Sequence, residues 1–473
     1  MDRSPIAQFR RSEVILPLVV LFAATALYAL PLFRNISFWG KTDWDQFTFL
    51  NAVPREILLR YHQFPLWNPF SNGGNTILAM PHSAFLSPMY LFALFFGPVI
   101  GLKLQWIAAL FLGMLGMHRL SKHLGMGTLS RYLPSFIFML SSLYSLHLRE
   151  GHLEWTALGF LPWTFLFLLK SKTEVKYFAF TVLSLALMIY SGGVYVFAAT
   201  TVFLTVHAFV VALREKRILP VLSLAGVLVL AFLVSSAKVV PMLELLKESP
   251  RPTKDEGRLE AVLLPKLFLI RDQNAMYENR SAIPERVGLN WDRENWHEFG
   301  VYTGFIPLIF ALVGLYACYE RQKPLFWAGL ACLWISMGRS AWFVDLWTLL
   351  HRLPVYRSLQ VPSRFLMCVL FCVSLFAGFG FSELEKAAKK GYQTWLLGGL
   401  LLFICLDLLA VDRPIVASTF SIPPQAIARS PEFQQGGVSF DAVLKMGSHS
   451  AMYPALLANR GTIKSYDIVG VTR

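Results

Sequence analysis

The chain has 473 residues, of which 55% are hydrophobic and only 15% charged, against about 45–50% and about 25% in an ordinary globular protein. With 14% aromatics, this apolar load exceeds what a soluble core of such length can enclose, and the composition excludes disorder, collagen and coiled coil. The net charge of +14 would suit a nucleic-acid partner were it clustered on one domain, but it is dispersed among apolar runs, and the chain reads as an all-α polytopic membrane protein.

A helix needs about 20 apolar residues to cross the hydrocarbon layer. Runs of this kind are Val14–Phe33, Leu102–Met117, Tyr132–Leu148, Leu153–Leu169, Tyr177–Tyr190, Val194–Leu213, Ile218–Val240, Phe299–Cys318, Leu325–Met337, Phe365–Phe381 and Thr394–Val411. They predict about 11 transmembrane helices. Ser83–Ile100 is apolar too, but Pro88 and Pro98 interrupt it. If it does not cross, six segments share one side: Met1–Glu13, His118–Arg131, Lys170–Lys176, Arg214–Arg217, Tyr319–Pro324 and Ser382–Gln393. Together these hold 17 Lys or Arg against 7 Asp or Glu, the bias of cytoplasmic loops. Letting Ser83–Ile100 cross breaks that agreement, so it reads as a re-entrant or interfacial helix. The amino terminus is then cytoplasmic and the carboxyl terminus extracytoplasmic. The basic balance is thereby a topology signal, and no nucleic-acid partner is expected. Met1–Glu13 precedes a span without a clear small-residue cleavage site, so a retained first helix is expected. Cys318, Cys332, Cys368, Cys372 and Cys405 each lie inside an apolar run and read as small buried hydrophobes, with no disulfide framework or thiolate metal site.

Residues 1–411 thus form a transmembrane domain with a first outer loop at 34–82 and a long outer loop at 241–298, and residues 412–473 form a short extracytoplasmic segment. The first outer loop carries Asp43 and Asp45, beside Trp39 and Trp44. Two carboxylates so spaced bind a divalent cation, or one accepts a proton while the other tunes its pKa; the alternative is an ordinary solvated loop in an aromatic belt. The loop continues through Trp67, Asn68, Asn72 and Asn75, in a stretch dense in Pro and Gly. Its amides suit sugar hydroxyls, and equally suit turns. The short outer turn holds His152 and Glu154, with Glu154 at a helix end where an ionisable group is costly. His297 and Glu298 precede the eighth span, followed by Gly300 and Gly304 as a small-residue packing face. Arg357 and Arg364 lie at the outer end of the tenth span, where Arg suits bidentate phosphate contact or snorkels to headgroups. No GxGxxG, Walker loop, GxSxG or HExxH is present, so soluble nucleotide chemistry has no seat.

Several stretches resemble the YfhO-type bacterial membrane proteins: FPLWNPFSNGGN, LSPMYLFALFFG, GHLEWTALGFLPWTFLFLL, EFGVYTGFIPLIFALVGL, VPSRFLMCVLFCVSLFAGFG and NRGTIKSYD, in order from about Asp43 to Asp467. That family is grouped with the GT-C glycosyltransferases, multi-span enzymes that use lipid-phosphate-linked sugars. The resemblance implies a GT-C-like bundle in the bacterial cytoplasmic membrane, acting in the cell envelope. It implies a polyprenyl-phosphate sugar donor and an extracytoplasmic glycan, lipid or protein acceptor. The family's catalytic acidic residue, in the first outer loop, maps onto Asp43 or Asp45. On that reading Arg364 and Arg357 bind the donor phosphate, and transfer inverts the anomeric carbon. His152, Glu154, His297 and Glu298 position the acceptor or hold a metal, and Trp67, Asn68, Asn72 and Asn75 line a substrate loop. A divalent cation, Mg or Mn, is left open. The rivals are a lipid or polysaccharide transporter or flippase, or a non-catalytic assembly protein. Transporters place ionisable residues near the bilayer midplane, whereas here the acidic groups cluster in outer loops.

Overall fold

A computed structural model describes residues 5–70, 74–248, 259, 261–278, 296–340, 344–353, 356–388 and 391–424. Asn72, NRGTIKSYD, much of the long outer loop and most of the segment 412–473 lie outside the described residues.

The chain enters through α1 (Pro5–Arg34), which at 1.5 Å per residue is about 45 Å long. Strand β1 (Trp39–Gly40) follows, then α2 (Trp44–Arg60). Strands β2 (Trp67–Asn68) and β3 (Asn75–Thr76) pair as an antiparallel hairpin. Helix α3 (Tyr90–His123) breaks at Gly97, whose φ of 77° only glycine adopts freely. The arm Tyr90–Phe96 rises only about 10 Å, too little to cross by itself. That arm is the helical part of the segment expected to be re-entrant or interfacial.

Several runs expected as continuous spans are broken. Tyr132–Leu148 is two helices, α4 (Tyr132–Leu140) and α5 (Ser142–Glu150), parted at Ser141 with ψ 152°. Leu153–Leu169 begins as a 3₁₀ segment, Leu153–Phe160, and turns α-helical only at α6 (Leu161–Lys170). Pro162 explains the change: it lacks the N–H that would continue the earlier ladder and suits a helix start. Next come α7 (Lys176–Tyr190), α8 (Val194–Glu215), α9 (Leu219–Val234) and α10 (Ser236–Glu248), the last pair bent by 83°. Short helices α11 (Leu264–Leu269) and α12 (Gln273–Glu278) lead to a 3₁₀ turn, Trp296–Glu298. Helix α13 (Phe305–Ser336) joins the eighth and ninth expected spans and is interrupted at Cys318 and Gln322, just before Pro324. It starts only after Gly304, at φ 85°, so Gly300 and Gly304 lie on an extended lead-in and not on a helical packing face. Then follow α14 (Leu346–Leu350), the 3₁₀ turn Pro362–Phe365, α15 (Leu366–Ala387), α16 (Gly391–Thr419) and β4 (Phe420–Ile422). Among the described residues, five helices are long and apolar enough to cross a membrane, or six with the bent pair counted once. The exact count of eleven spans is not confirmed by these helices, because Ser141, Pro162 and Gly304 break apolar runs that hydropathy alone cannot divide.

Helix α15 is the axis of the bundle. Its span Pro362–Ala387 has 94% of its apolar window buried, against 39% for α1 and for α16. A helix apolar all round is either a core element or lipid-facing, and the fold uses both. α13 packs on α15 through Gly314 and Gly380, where a Cβ would lie about 2 Å from a carbonyl oxygen of the partner helix. All five cysteines are free and buried. With apolar helices on the outside and a packed centre, the chain is a multi-pass membrane protein.

Candidate active site

At the loop-rich end of the bundle, the segment after α1 is held from three directions. Lys103, on α3, donates to the carbonyls of Asn35, Ile36 and Phe38 at 2.8, 2.6 and 2.6 Å. β1 pairs antiparallel with β4, and the Asn35 amide donates to the Phe420 carbonyl at 3.0 Å. The third tie is to the end of α5. The Asp43 N–H donates to the Glu150 carbonyl at 3.0 Å and the Trp44 indole to the Leu148 carbonyl at 2.7 Å. Gly151 makes this approach feasible: its φ is 99°, and a Cβ there would sit 2.5 Å from the Trp44 nitrogen.

This stitching sets the carboxylate of Asp43 against His152, Oδ2 to Nε2 at 3.5 Å. The Asp43 side chain keeps 24% of its exposure. Asp45 is buried in the first turn of α2. His152 Nδ1 faces His147 Nδ1 at 2.9 Å, and the His147 ring stacks on Trp155 at 3.6 Å. Burial alone would push the His152 imidazole down, but Glu154 and Asp43 outweigh it and raise its pKa to about 9. At neutral pH His152 is therefore an imidazolium, donating to Asp43 on one side and to His147 on the other.

Behind this pair lies a buried ion network. Arg364, on the 3₁₀ turn Pro362–Phe365, holds Glu298 with both arms of its fork: Nε to Oε2 at 2.9 Å and Nη2 to Oε1 at 2.6 Å. Its guanidinium also lies 4.4 Å from the centre of the Tyr195 ring, and Nη1 is 3.9 Å from Glu154 Oε1. Burial pushes the Glu298 carboxyl up, but Arg364 and His297 hold it well below the usual carboxylate range. His297 bridges two carboxylates, Nε2 to Glu298 at 3.1 Å and Nδ1 to Glu150 at 3.5 Å, and the Tyr277 hydroxyl donates to Glu150. Glu154 closes the network toward His82, 4.0 Å away, and leaves Oε2 without a partner.

Of the residues singled out in the sequence, the structure gathers Asp43, His152, Glu154, His297, Glu298 and Arg364. Two expectations change. The Arg364 fork, expected to meet a phosphate, is closed on a carboxylate. Arg357 is exposed on the turn Tyr356–Ser358 and does not flank the pair. Trp67, Asn68 and Asn75 sit on the β2–β3 hairpin, where Asn68 Oδ1 accepts from the Phe70 N–H at 2.9 Å, a turn bond. Phe70 and Ile77 pack on Phe49, Val53 and Ile57 of α2 in a small core of their own. Sequence reasoning missed His147, Glu150, Tyr195 and Tyr277. The first two had a signal: they lie in or beside an apolar run, where ionisable groups are costly.

His152, His297 and Glu298 bring ligand atoms within 4.8 Å of one another. Two imidazoles and one carboxylate form a zinc-type donor set; Mg and Mn favour oxygen ligands. The divalent cation left open by the sequence thus has a candidate donor set, whose two imidazoles suit Zn as well.

No protein-family model matches the chain, and no curated protein matches it. Solved structures do. The arabinofuranosyltransferase AftD from Mycobacteria matches with a TM-score of 0.53 at 15% identity, over 85% of this chain and 27% of that one. The oligosaccharyltransferase from Archaeoglobus fulgidus, in complex with Zn and sulfate, matches with a TM-score of 0.52 at 11% identity, over 96% of this chain and 63% of that one. The chain thus spans about a quarter of the first and less than two thirds of the second. The fold is that of the GT-C membrane glycosyltransferases.

Proposed function

We propose that this protein is an integral membrane glycosyltransferase that moves a sugar from a polyprenyl-phosphate-linked donor to an extracytoplasmic glycan, lipid or protein. The GT-C fold supports the class, and the sequence resemblance to YfhO-type proteins supports the donor. The basic segments that end α3, α6 and α8 lie away from the site; with those segments cytoplasmic, the site faces outside, the amino terminus inside and the carboxyl terminus outside. Residues 1–411 supply the catalytic bundle.

The single observation that carries the mechanism is Asp43 at 3.5 Å from the His152 ring, on a loop fixed by backbone bonds, with its carboxylate still accessible. His152 orients the Asp43 carboxylate. Asp43 takes the proton of an acceptor hydroxyl as that oxygen attacks the anomeric carbon. The bond from that carbon to the phosphate oxygen breaks, its electron pair leaves on the polyprenyl phosphate, and the configuration inverts. Arg364 positions Glu298, and through it His297 and Glu150, so the wall behind Asp43 stays rigid. Metal binding by His152, His297 and Glu298 would need His152 as the neutral imidazole, so a bound divalent ion and the imidazolium that orients Asp43 are alternative states of the site.

The test is compositional analysis of surface glycans in a strain lacking the protein and complemented with wild type or Asp43→Asn. Loss of one sugar in the deletion, restored by wild type and not by the variant, is expected. A variant that restores as well as wild type, at equal expression, overturns the assignment.

A further inference from the structure

Among the described residues, three of the four buried Lys and Arg side chains have a carboxylate or three carbonyls beside them, and Lys238 has neither. Arg364 has a carboxylate, and the three protons of Lys103 have three carbonyls. Arg149 donates to the Ser418 carbonyl at 2.5 Å and lies 3.6 Å from Glu278. Lys238 is 1% exposed, and among the described residues its ammonium meets only the Ser83 carbonyl, with no carboxylate beside it. A buried ammonium with two unused protons and no counter-charge is unfavourable, and it either gives up its proton or takes an anion.

Its place in the fold says which anion. Lys238 sits in the first turn of α10, directly after the 83° bend from α9, so the positive end of that helix adds to its charge. The Ser83 hydroxyl is also buried and has no partner. Ser83 follows His82, whose ring is 4.0 Å from Glu154, and Glu154 is 3.9 Å from Arg364, so the ammonium borders the network behind Asp43. The turn at Gly192 and Gly193 packs between these parts: a Cβ on Gly192 would lie 2.8 Å from the His82 carbonyl. On the other side Leu233, Val234 and Val240 are 57%, 49% and 42% exposed, an apolar edge open to lipid. An anionic group joined to a long apolar chain fits this junction.

We infer that Lys238, with the α10 amino terminus and the Ser83 hydroxyl, holds the phosphate of a polyprenyl-phosphate lipid whose chain lies along the outer edge of the α9–α10 bend. This rests on the donor class proposed above and assigns it a seat, since the Arg364 fork is closed on Glu298.

The experiment measures binding of decaprenyl phosphate to the full chain in nanodiscs, together with thermal midpoints. Wild type should bind, and Lys238→Met should bind about tenfold more weakly or worse, the loss of a charged hydrogen bond. The Met variant should be as stable as wild type or more so, because it removes an uncompensated buried charge. Lys238→Arg should retain part of the affinity. Equal binding by wild type and Lys238→Met overturns the inference and leaves the donor class standing. No binding by wild type overturns the donor class itself. A lowered midpoint in Lys238→Met marks the lysine as structural and overturns the inference. Phosphatidylglycerol should not compete at equal concentration; if it does, the site takes bulk anionic lipid and the inference fails.

Discussion

Removing the guanidinium of Arg364 leaves Glu298 buried with a charge that His297 alone must answer. The pair is bidentate at 2.9 and 2.6 Å, with side chains 9% and 10% exposed, so solvent cannot take over. Breaking such a pair from one side costs about 3–5 kcal/mol, whereas replacing both partners by apolar groups is close to neutral. Arg364→Met should therefore lower the thermal midpoint in detergent markedly, Glu298→Leu should do the same, and the double variant should recover most of the loss. The pH dependence gives a second reading. In wild type the Glu298 carboxyl lies below its ordinary value of 4.5, so its contribution is present above about pH 4.5 and lost only as pH falls through the lower folded value. In Arg364→Met the unpaired carboxylate is the liability, so that variant should gain stability relative to wild type as pH drops toward the carboxylate range. The assay is thermal unfolding of single and double variants between pH 4 and 8 at fixed salt. An Arg364→Met protein as stable as wild type, or a double variant as damaged as the sum of the singles, would refute the ion-pair argument.

Asp43→Asn should lower transfer about 10²–10⁴-fold with a nearly unchanged midpoint, measured on purified protein with a polyprenyl-phosphate sugar; if Asp43→Asn and Asp45→Asn both turn over like wild type, the loop is not catalytic. His152 is raised from 6.5 to about 9, so the stability it gives is full below about pH 6.5 and fades as pH rises through about 9. A midpoint-versus-pH curve should show that loss in wild type and not in His152→Asn, and identical curves would count against the imidazolium. A reporter fused after Gly125 should read cytoplasmic and one at the carboxyl terminus external; an external signal at Gly125 reverses the sidedness.

Much of the site was legible because polar residues stand out in a chain this apolar. Asp43, His152, Glu154, His297 and Glu298 were visible as charges at the ends of hydrophobic runs. Their grouping was not, since the Arg364–Glu298 pair joins positions 66 apart. The partner of the Arg364 fork was hidden for the same reason: local context shows a helix start, while Glu298 arrives from another loop. His147 and Glu150 were hidden because a hydropathy window smooths over the break at Ser141. The fold class followed from composition, but the division of the apolar runs did not. Ser141 and Gly304 set backbone angles that no periodicity announces, and the Gly300–Gly304 spacing imitated a helical packing motif on an extended segment.

The strand pair between Trp39–Gly40 and Phe420–Ile422 has a consequence for biosynthesis. The loop bearing Asp43 is shaped by residues made long after it: the Asn35–Phe420 bond closes a sequence separation of 385, and the Arg149–Ser418 bond one of 269. A nascent chain whose early helices are already inserted has Asp43 and His152 but not the frame that sets them against each other. The site matures only once α16 and β4 have been made, so ribosome-bound or truncated chains that stop before Phe420 should be silent.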